Sequence, residues 1–319
     1  MFKADFSFMT KNQDAKNKKL KQGVNISFNE LKKSSLLPRL DFELLLAFAS
    51  GLSREKLITY PDENLGLKVL NKFRQLEKKR LKNWPIAYLI EEKSFYGLNF
   101  KVSPKVLVPR PETELIIDKV LKKINSEKIK DLNIIDLGTG SGAIITSLGS
   151  EIKKINPKLF QRIGFFGLDI SLAALKIAKE NAKNNNLEKS IVFIKSDLLE
   201  IIKNKKLSKN FDILTKPLIV CANLPYLKPE EFKLEKSISR EPKLALVAGK
   251  DGLKYYRQLF KQIALLNTNN NLNSLLLICE VNPGQVKPMK ELANKYFNNK
   301  TIEVNQDLAG QDRFFSIII

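Results

Sequence analysis

Two stretches of this chain carry residue types whose spacing could do chemistry. In Asn223-Leu-Pro-Tyr226 the Asn223 side-chain oxygen and the Leu224 carbonyl can both accept hydrogen bonds from one NH₂ group. Pro225 biases Leu224 toward extended backbone, which aims its carbonyl outward, and Tyr226 adds an aromatic face. The four residues would seat a planar amino or amide nitrogen. The competing reading is a strand-ending turn with Asn and Pro as breakers. The second stretch is Asn133-Ile-Ile-Asp-Leu-Gly-Thr-Gly-Ser-Gly-Ala143. An apolar run fit for a buried parallel strand ends in Gly138, Gly140 and Gly142, where missing Cβ atoms let backbone approach a ligand. A helix follows, with free N–H groups at its start.

Two carboxylates extend the glycine turn into a nucleoside-like site. Ile163-Gly-Phe-Phe-Gly-Leu-Asp169 predicts a second buried strand ending in an acid that can accept from both hydroxyls of a ribose. Ile191-Val-Phe-Ile-Lys-Ser-Asp197 predicts a third, with an acid able to take the amino group of an adenine. The glycines follow G-x-G-x-G rather than the dinucleotide pattern G-x-G-x-x-G, and no phosphate loop with a terminal Gly-Lys-Ser/Thr occurs. Nucleotide hydrolysis is therefore disfavoured. The turn resembles the first motif of the class I S-adenosylmethionine-dependent methyltransferases.

Composition removes several alternatives. Histidine is absent, so Ser–His and Cys–His nucleophiles and His-ligated metals are excluded. The two cysteines, Cys221 and Cys279, lie in apolar runs and read as reduced core residues; no metal site is expected. The 319 residues are 43% apolar, without a run long enough to cross a bilayer and without the pattern of a signal peptide at the start. A cytoplasmic location is the expectation. The net charge of +21 suits a nucleic-acid partner. It comes mostly from scattered Lys, beside abundant Asn, which a biased genome composition also produces, so no specific nucleic-acid partner is expected.

The elements that must position these residues follow in order. Residues 1–34 are polar and Lys-rich and read as poorly ordered. From Leu36 the pattern is helical: one helix ends at Gly51, Ser53 caps the next, and Leu67–Lys82 is amphipathic through Val69, Leu70, Phe73 and Leu76. Alternation over Pro85–Phe100 predicts the strands of a hairpin linker. Pro111 can open a helix with Glu112 and Glu114 in its acidic first turn. Further strands are expected at Pro217–Ala222, Leu275–Val281 and Phe314–Ile319. Strands alternating with helices predict a doubly wound, mostly parallel α/β sheet. The expected domains are a helical one at 1–84, a β-hairpin linker at 85–107 and the catalytic domain at 108–319.

Asn223-Leu-Pro-Tyr226 is similar to the fourth motif of amino-methyltransferases, usually Asn-Pro-Pro-Tyr, and also to that of ribosomal-RNA adenine dimethyltransferases. The tetrad alone does not choose a substrate. Pro85-Ile-Ala-Tyr88, Phe95-Tyr-Gly-Leu98, Val106-Leu-Val-Pro-Arg-Pro-Glu-Thr-Glu114, Glu241-Pro-x-x-Ala-Leu246, Asp251-Gly-Leu253 and Asp307-Leu-Ala-Gly-x-Asp-Arg313 do. In this order they resemble the release-factor glutamine methyltransferases (the HemK/PrmC family) from about Leu36 to the end. The resemblance implies a class I methyltransferase (Rossmann-like) fold and transfer from S-adenosyl-L-methionine to the amide N5 of the Gln in the Gly-Gly-Gln loop of peptide chain release factors. It implies a small N-terminal helical domain that recognises the substrate. It places the cofactor against Gly138, Thr139, Gly140, Ser141, Gly142, Asp169, Asp197, Leu198 and Asn223. Catalysis falls to Asn223, Leu224, Pro225 and Tyr226. Three positions depart from the family pattern: Glu91 in place of Gly, Leu198 where an aromatic often lies against the adenine, and Leu224 in place of Pro. The rival readings are an RNA adenine N6-methyltransferase and a non-catalytic binding protein on the same fold.

Overall fold

The computed structural model describes residues 26–126, 129, 131–203, 213–214, 216–268, 274–298 and 300–319. The expectation of poor order for residues 1–25 lies outside these. The chain divides into two compact units, 1–90 and 91–319.

The first unit holds helices α1 (Phe28–Ser34), α2 (Arg39–Ser50), α3 (Arg54–Thr59), α4 (Leu67–Arg80) and α5 (Ile86–Leu89), with a two-residue bridge between β1 (Ile26–Ser27) and β2 (Asn64–Leu65). Gly51 ends α2 in the left-handed region at φ 73°, its N–H bonded to the Ala47 carbonyl at 2.8 Å. Spacing of three residues puts Leu70, Phe73 and Leu76 of α4 on one face, buried with Phe42, Leu45 and Leu46 of α2. Phe42 meets Phe28 and Phe73 edge-on at 5.3 and 5.2 Å. Two buried acids are paired: Glu43 with Arg54 at 2.7 Å and Arg39 at 2.8 Å, and Glu77 with Arg74 at 2.6 Å. Hydrogen bonds from Arg54 and Arg39 hold the Glu43 carboxyl below its ordinary range.

Two local expectations are corrected here. Residues 26–34 are structured: Ser27 and Glu30 form a reciprocal capping box, and Phe28 and Leu31, three apart, reach the core. Residues 86–89 are a helical turn packed in the first unit rather than a strand, because a short apolar run carries no period that separates the two.

In the second unit the hairpin is β3 (Glu92–Phe95) with β4 (Leu98–Lys101), closed by Tyr96 and Gly97 at φ 47° and 72°. A seven-stranded sheet follows in the order β10-β11-β9-β8-β5-β6-β7. Its strands are β5 (Leu132–Leu137), β6 (Ile163–Asp169), β7 (Ile191–Lys195), β8 (Leu218–Ala222), β9 (Leu275–Glu280), β10 (Ile302–Gln306) and β11 (Asp312–Ile318). The five from β5 to β9 run parallel; β11 and β10 close one edge antiparallel. β10 was not foreseen, since its half-exposed alternation gives little apolar signal. Every residue of β5, β8 and β9 is buried, as a sheet covered on both faces requires.

The order reverses at β5, flanked by β6 on one side and β8 on the other. Crevices at such a reversal, beyond the strand C-termini, are where open α/β sheets bind ligands. Among the described residues no helix is long and apolar enough to cross a membrane.

Candidate active site

Sheet register decides which residues meet. Leu137 pairs with Leu168 and with Ala222, and Ala222 pairs with Cys279. The next residues along each strand, Gly138, Asp169, Asn223 and Glu280, therefore come level at one edge of the sheet.

On the glycine side, Gly138, Gly140 and Gly142 lie at φ 67°, 55° and 78°, which L side chains rarely adopt. Gly142 also abuts the helix Leu172–Asn184: a Cβ there would lie 3.1 Å from that of Ala178. Thr139 and Ser141 are buried. The Thr139 N–H donates to the Leu168 carbonyl at 2.9 Å and its hydroxyl to Asp136 at 2.6 Å. Burial pushes Asp136 up to about 7, against the pull of the Thr139 hydrogen bond. Asp169 accepts from the Gly140 N–H at 2.9 Å and the Ser171 N–H at 2.8 Å, and burial raises its pKa. Asp197 is exposed and accepts from Gln258 Nε2 at 2.9 Å. Leu198 adopts φ 52° and packs into the core, 7% exposed.

On the other side, Asn223, Pro225 and Tyr226 are half-buried and Leu224 is buried. The tetrad lies close to the glycine turn: a Cβ on Gly138 would lie 3.4 Å from Leu224 Cδ2 and 3.9 Å from the Asn223 carbonyl oxygen. Beyond it opens a cavity of about 450 Å³ whose walls include Arg110, Asn223, Tyr226, Leu234 and Glu280. Burial, with the Glu280 charge beside it, pushes the Tyr226 hydroxyl up to about 12, so it stays protonated at neutral pH.

Two of the scattered motifs line this cavity, Val106–Glu114 through Leu107 and Arg110, and Glu241–Leu246 through Ala245 and Leu246. Thr113 donates to Glu280 at 2.6 Å and accepts from Asn223 at 3.1 Å. Glu114, beyond its place at a helix start, accepts from the Tyr96 N–H in the hairpin turn at 2.8 Å. Glu241, buried, binds the Val108 N–H at 3.0 Å and Arg110 at 2.5 Å, fixing the segment that leads into Thr113. Leu227 exchanges backbone hydrogen bonds with Leu246 and Ala248 at 2.8 and 2.9 Å.

Three residues here were not singled out from sequence. Glu280 ends an apolar strand, and an acid at the end of such a run was the available signal. Gln285 holds the Tyr226 carbonyl at 2.9 Å. Asn181, fully buried, accepts from the Lys101 N–H at 2.7 Å and donates to the Lys101 and Ser141 carbonyls at 3.0 and 2.8 Å, tying the hairpin to the glycine turn.

This sheet, with the glycine turn after β5 and Asn223-Leu-Pro-Tyr226 after β8 beside its reversal, has the fold of a Rossmann-like methyltransferase of class I. Residues 128–306 match the family model described as a methyltransferase domain, and residues 27–90 the one described as the PrmC N-terminal domain. Two relatives named release factor glutamine methyltransferase, from Moorella thermoacetica and Bacillus subtilis, are each 34% identical, over 278 and 281 residues, 87% of this chain and 90% of theirs. The chain belongs to the release factor glutamine methyltransferase family. The crystal structure of the hMettl16 catalytic domain with a MAT2A 3′UTR hairpin aligns at TM-score 0.50 and 16% identity, over 70% of this chain and 76% of that one, and shows the fold alone.

Proposed function

We propose that the protein methylates the side-chain amide N5 of the Gln in the Gly-Gly-Gln loop of peptide chain release factors, using S-adenosylmethionine. The observation that carries this reading is the close approach of Gly138 to Asn223-Leu224 at the sheet reversal, within a chain of this family.

The donor set fits the cofactor. Asp169 spends one lone pair of each oxygen on a backbone N–H, which leaves each oxygen able to accept from a ribose hydroxyl. Gly138, Thr139, Gly140, Ser141 and Gly142 would lie along it, with Asp197 and Leu198 toward the adenine. Bound there, the cofactor supplies an activated methyl on a sulfonium.

The protein's part is positioning and electrostatics. An amide nitrogen is a poor nucleophile because its lone pair is delocalised into the carbonyl. Asn223 Oδ1 and the Leu224 carbonyl accept its two hydrogens and favour the geometry that frees the lone pair. Such positioning supplies at most about 7–11 kcal/mol. The same oxygens and the Tyr226 ring face are favourable neighbours for positive charge developing on that nitrogen. As the N–C bond forms and the S–C bond breaks, the electron pair of that bond stays on sulfur and the N-methylated amide is left with a positive charge. It is then acidic enough to give one of its two hydrogens to water, so no side chain of shifted pKa must act as general base, which suits a chain without histidine.

One Gln offers too little surface to single out a release factor. The helical domain of the first unit, expected at 1–84 and followed by the 85–107 linker and the 108–319 catalytic domain, supplies the remaining recognition. The test is methyl transfer from labelled cofactor to intact release factor, to a short Gly-Gly-Gln peptide and to ribosomal RNA. Label on the factor's Gln, with far lower kcat/KM on the peptide, supports both parts. Label on RNA adenine would replace the proposed substrate, and equal kcat/KM on peptide and factor would remove the recognition role.

A further inference from the structure

The hydrogen bonds that reach Asn223 begin in the core. Glu280 is 2% exposed and accepts the Thr113 hydroxyl hydrogen on Oε2 at 2.6 Å. A hydroxyl has one hydrogen, so Thr113 can offer Asn223 only a lone pair. Asn223 must answer with its NH₂ group, and it does, donating from Nδ2 to Thr113 at 3.1 Å. Its oxygen is thereby turned away from Thr113. Asn223 lines the cavity, and among the described residues its Oδ1 makes no hydrogen bond.

We infer that Thr113 and Glu280 are positioning residues for the methyl transfer: they lock the Asn223 amide so that its oxygen, not its NH₂, meets the amide nitrogen of the substrate. A flipped Asn223 would point donors at a nitrogen that itself carries two hydrogens. Nothing else in the tetrad corrects that error. The inference rests on the proposed function, because only an NH₂-bearing acceptor needs the oxygen side.

The lock depends on Glu280 accepting. Burial pushes its carboxyl up to about 7, with the Thr113 hydrogen bond opposing. Arg313 and Arg110 favour the charged form, and Glu112 disfavours it. Tyr226, protonated in this range, adds no charge. A protonated Glu280 can itself donate to Thr113, which frees the Thr113 hydrogen for Asn223 Oδ1 and occupies the acceptor. The productive orientation is then lost as pH falls.

The test compares wild type, Thr113→Val, Thr113→Ser and Glu280→Gln by kcat and KM on release factor and by calorimetric cofactor affinity, across neutral pH. Thr113→Val should lower kcat about tenfold or more, with cofactor Kd within about twofold, and Thr113→Ser should restore most of the loss. Wild-type kcat should fall on the acid side near neutrality. Glu280→Gln, which can either donate or accept, should be slower and lack that acid limb. Wild-type turnover by Thr113→Val, or an unchanged acid limb in Glu280→Gln, overturns the inference while leaving the proposed substrate standing. Should Thr113→Val not fold, the Glu280→Gln profile decides. A wild-type protein that transfers no methyl to release factor overturns both.

Discussion

Gln285 Nε2 donates to the Tyr226 carbonyl at 2.9 Å and to the Asp251 carbonyl at 3.3 Å, clasping the end of the tetrad to the loop at Asp251. The clasp closes over Gly252, at φ 74°, where a Cβ would lie 2.1 Å from Gln285 Nε2 and 2.3 Å from the Tyr226 oxygen. Both the backbone angle and the space demand glycine. Gly252→Ala should cost about 2 kcal/mol or more in denaturant melts and reduce kcat more than Gln285→Ala does. Wild-type turnover in a folded Gly252→Ala protein would show that Tyr226 needs no such fixing.

Glu91 stands in the left-handed region at φ 59°, and its carbonyl accepts from Val102 N–H at 3.2 Å. A side chain there strains the backbone, so the departure from glycine at this position has a cost. Glu91→Gly should stabilise the protein by about 0.5–1 kcal/mol, the left-handed penalty less the unfolded-chain entropy glycine adds. Equilibrium urea melts would read it; a lower midpoint would contradict it.

Asp136 titrates near 7 in the fold against an ordinary 3.8. A raised acid pKa means the native state holds its proton longer than the unfolded chain. Stability from this group is therefore full below about pH 4 and is lost as pH rises to 7. Asp136→Asn keeps an acceptor for Thr139 and has no charge to bury. Its melting temperature minus that of wild type should grow between acid and mildly alkaline pH. A difference independent of pH would refute the burial argument.

For the cofactor, Asp169→Ala removes the proposed ribose acceptor and leaves the N–H groups of Gly140 and Ser171 without their carboxylate. Affinity for S-adenosylmethionine should weaken by about 1–3 kcal/mol. Calorimetry with unchanged affinity in a folded variant would take Asp169 out of the ribose site.

Sequence made most of the sheet and the two turns at its reversal legible, because long buried strands read as apolar runs and Gly138–Gly142 and Asn223–Tyr226 punctuate them. The parts that hold those turns in register were hidden. Thr113 and Glu280 are 167 residues apart, and Asn181 and Lys101 are 80 apart. Each partner looks ordinary in its own segment: Glu114 and Glu112 suit a helix start, Asn181 sits within a helix, and Gln285 lies in a short turn. Only the register that sets Asn223 beside Glu280 gives these residues a common task. Edge strand β10 and the helical turn at Ile86–Leu89 stayed hidden for a simpler reason, since four or five residues carry too little periodicity.

The central claim is that Asn223 orients the amide that receives the methyl group, and single-turnover transfer by Asn223→Ala at saturating cofactor tests it most directly. Loss of a preorganised acceptor at the reacting atom predicts a fall of about 10²-fold or more in transfer to release factor, with cofactor affinity within a few-fold of wild type. Transfer at the wild-type rate would mean that Asn223-Leu-Pro-Tyr226 is a strand-ending turn and that the amide is held elsewhere.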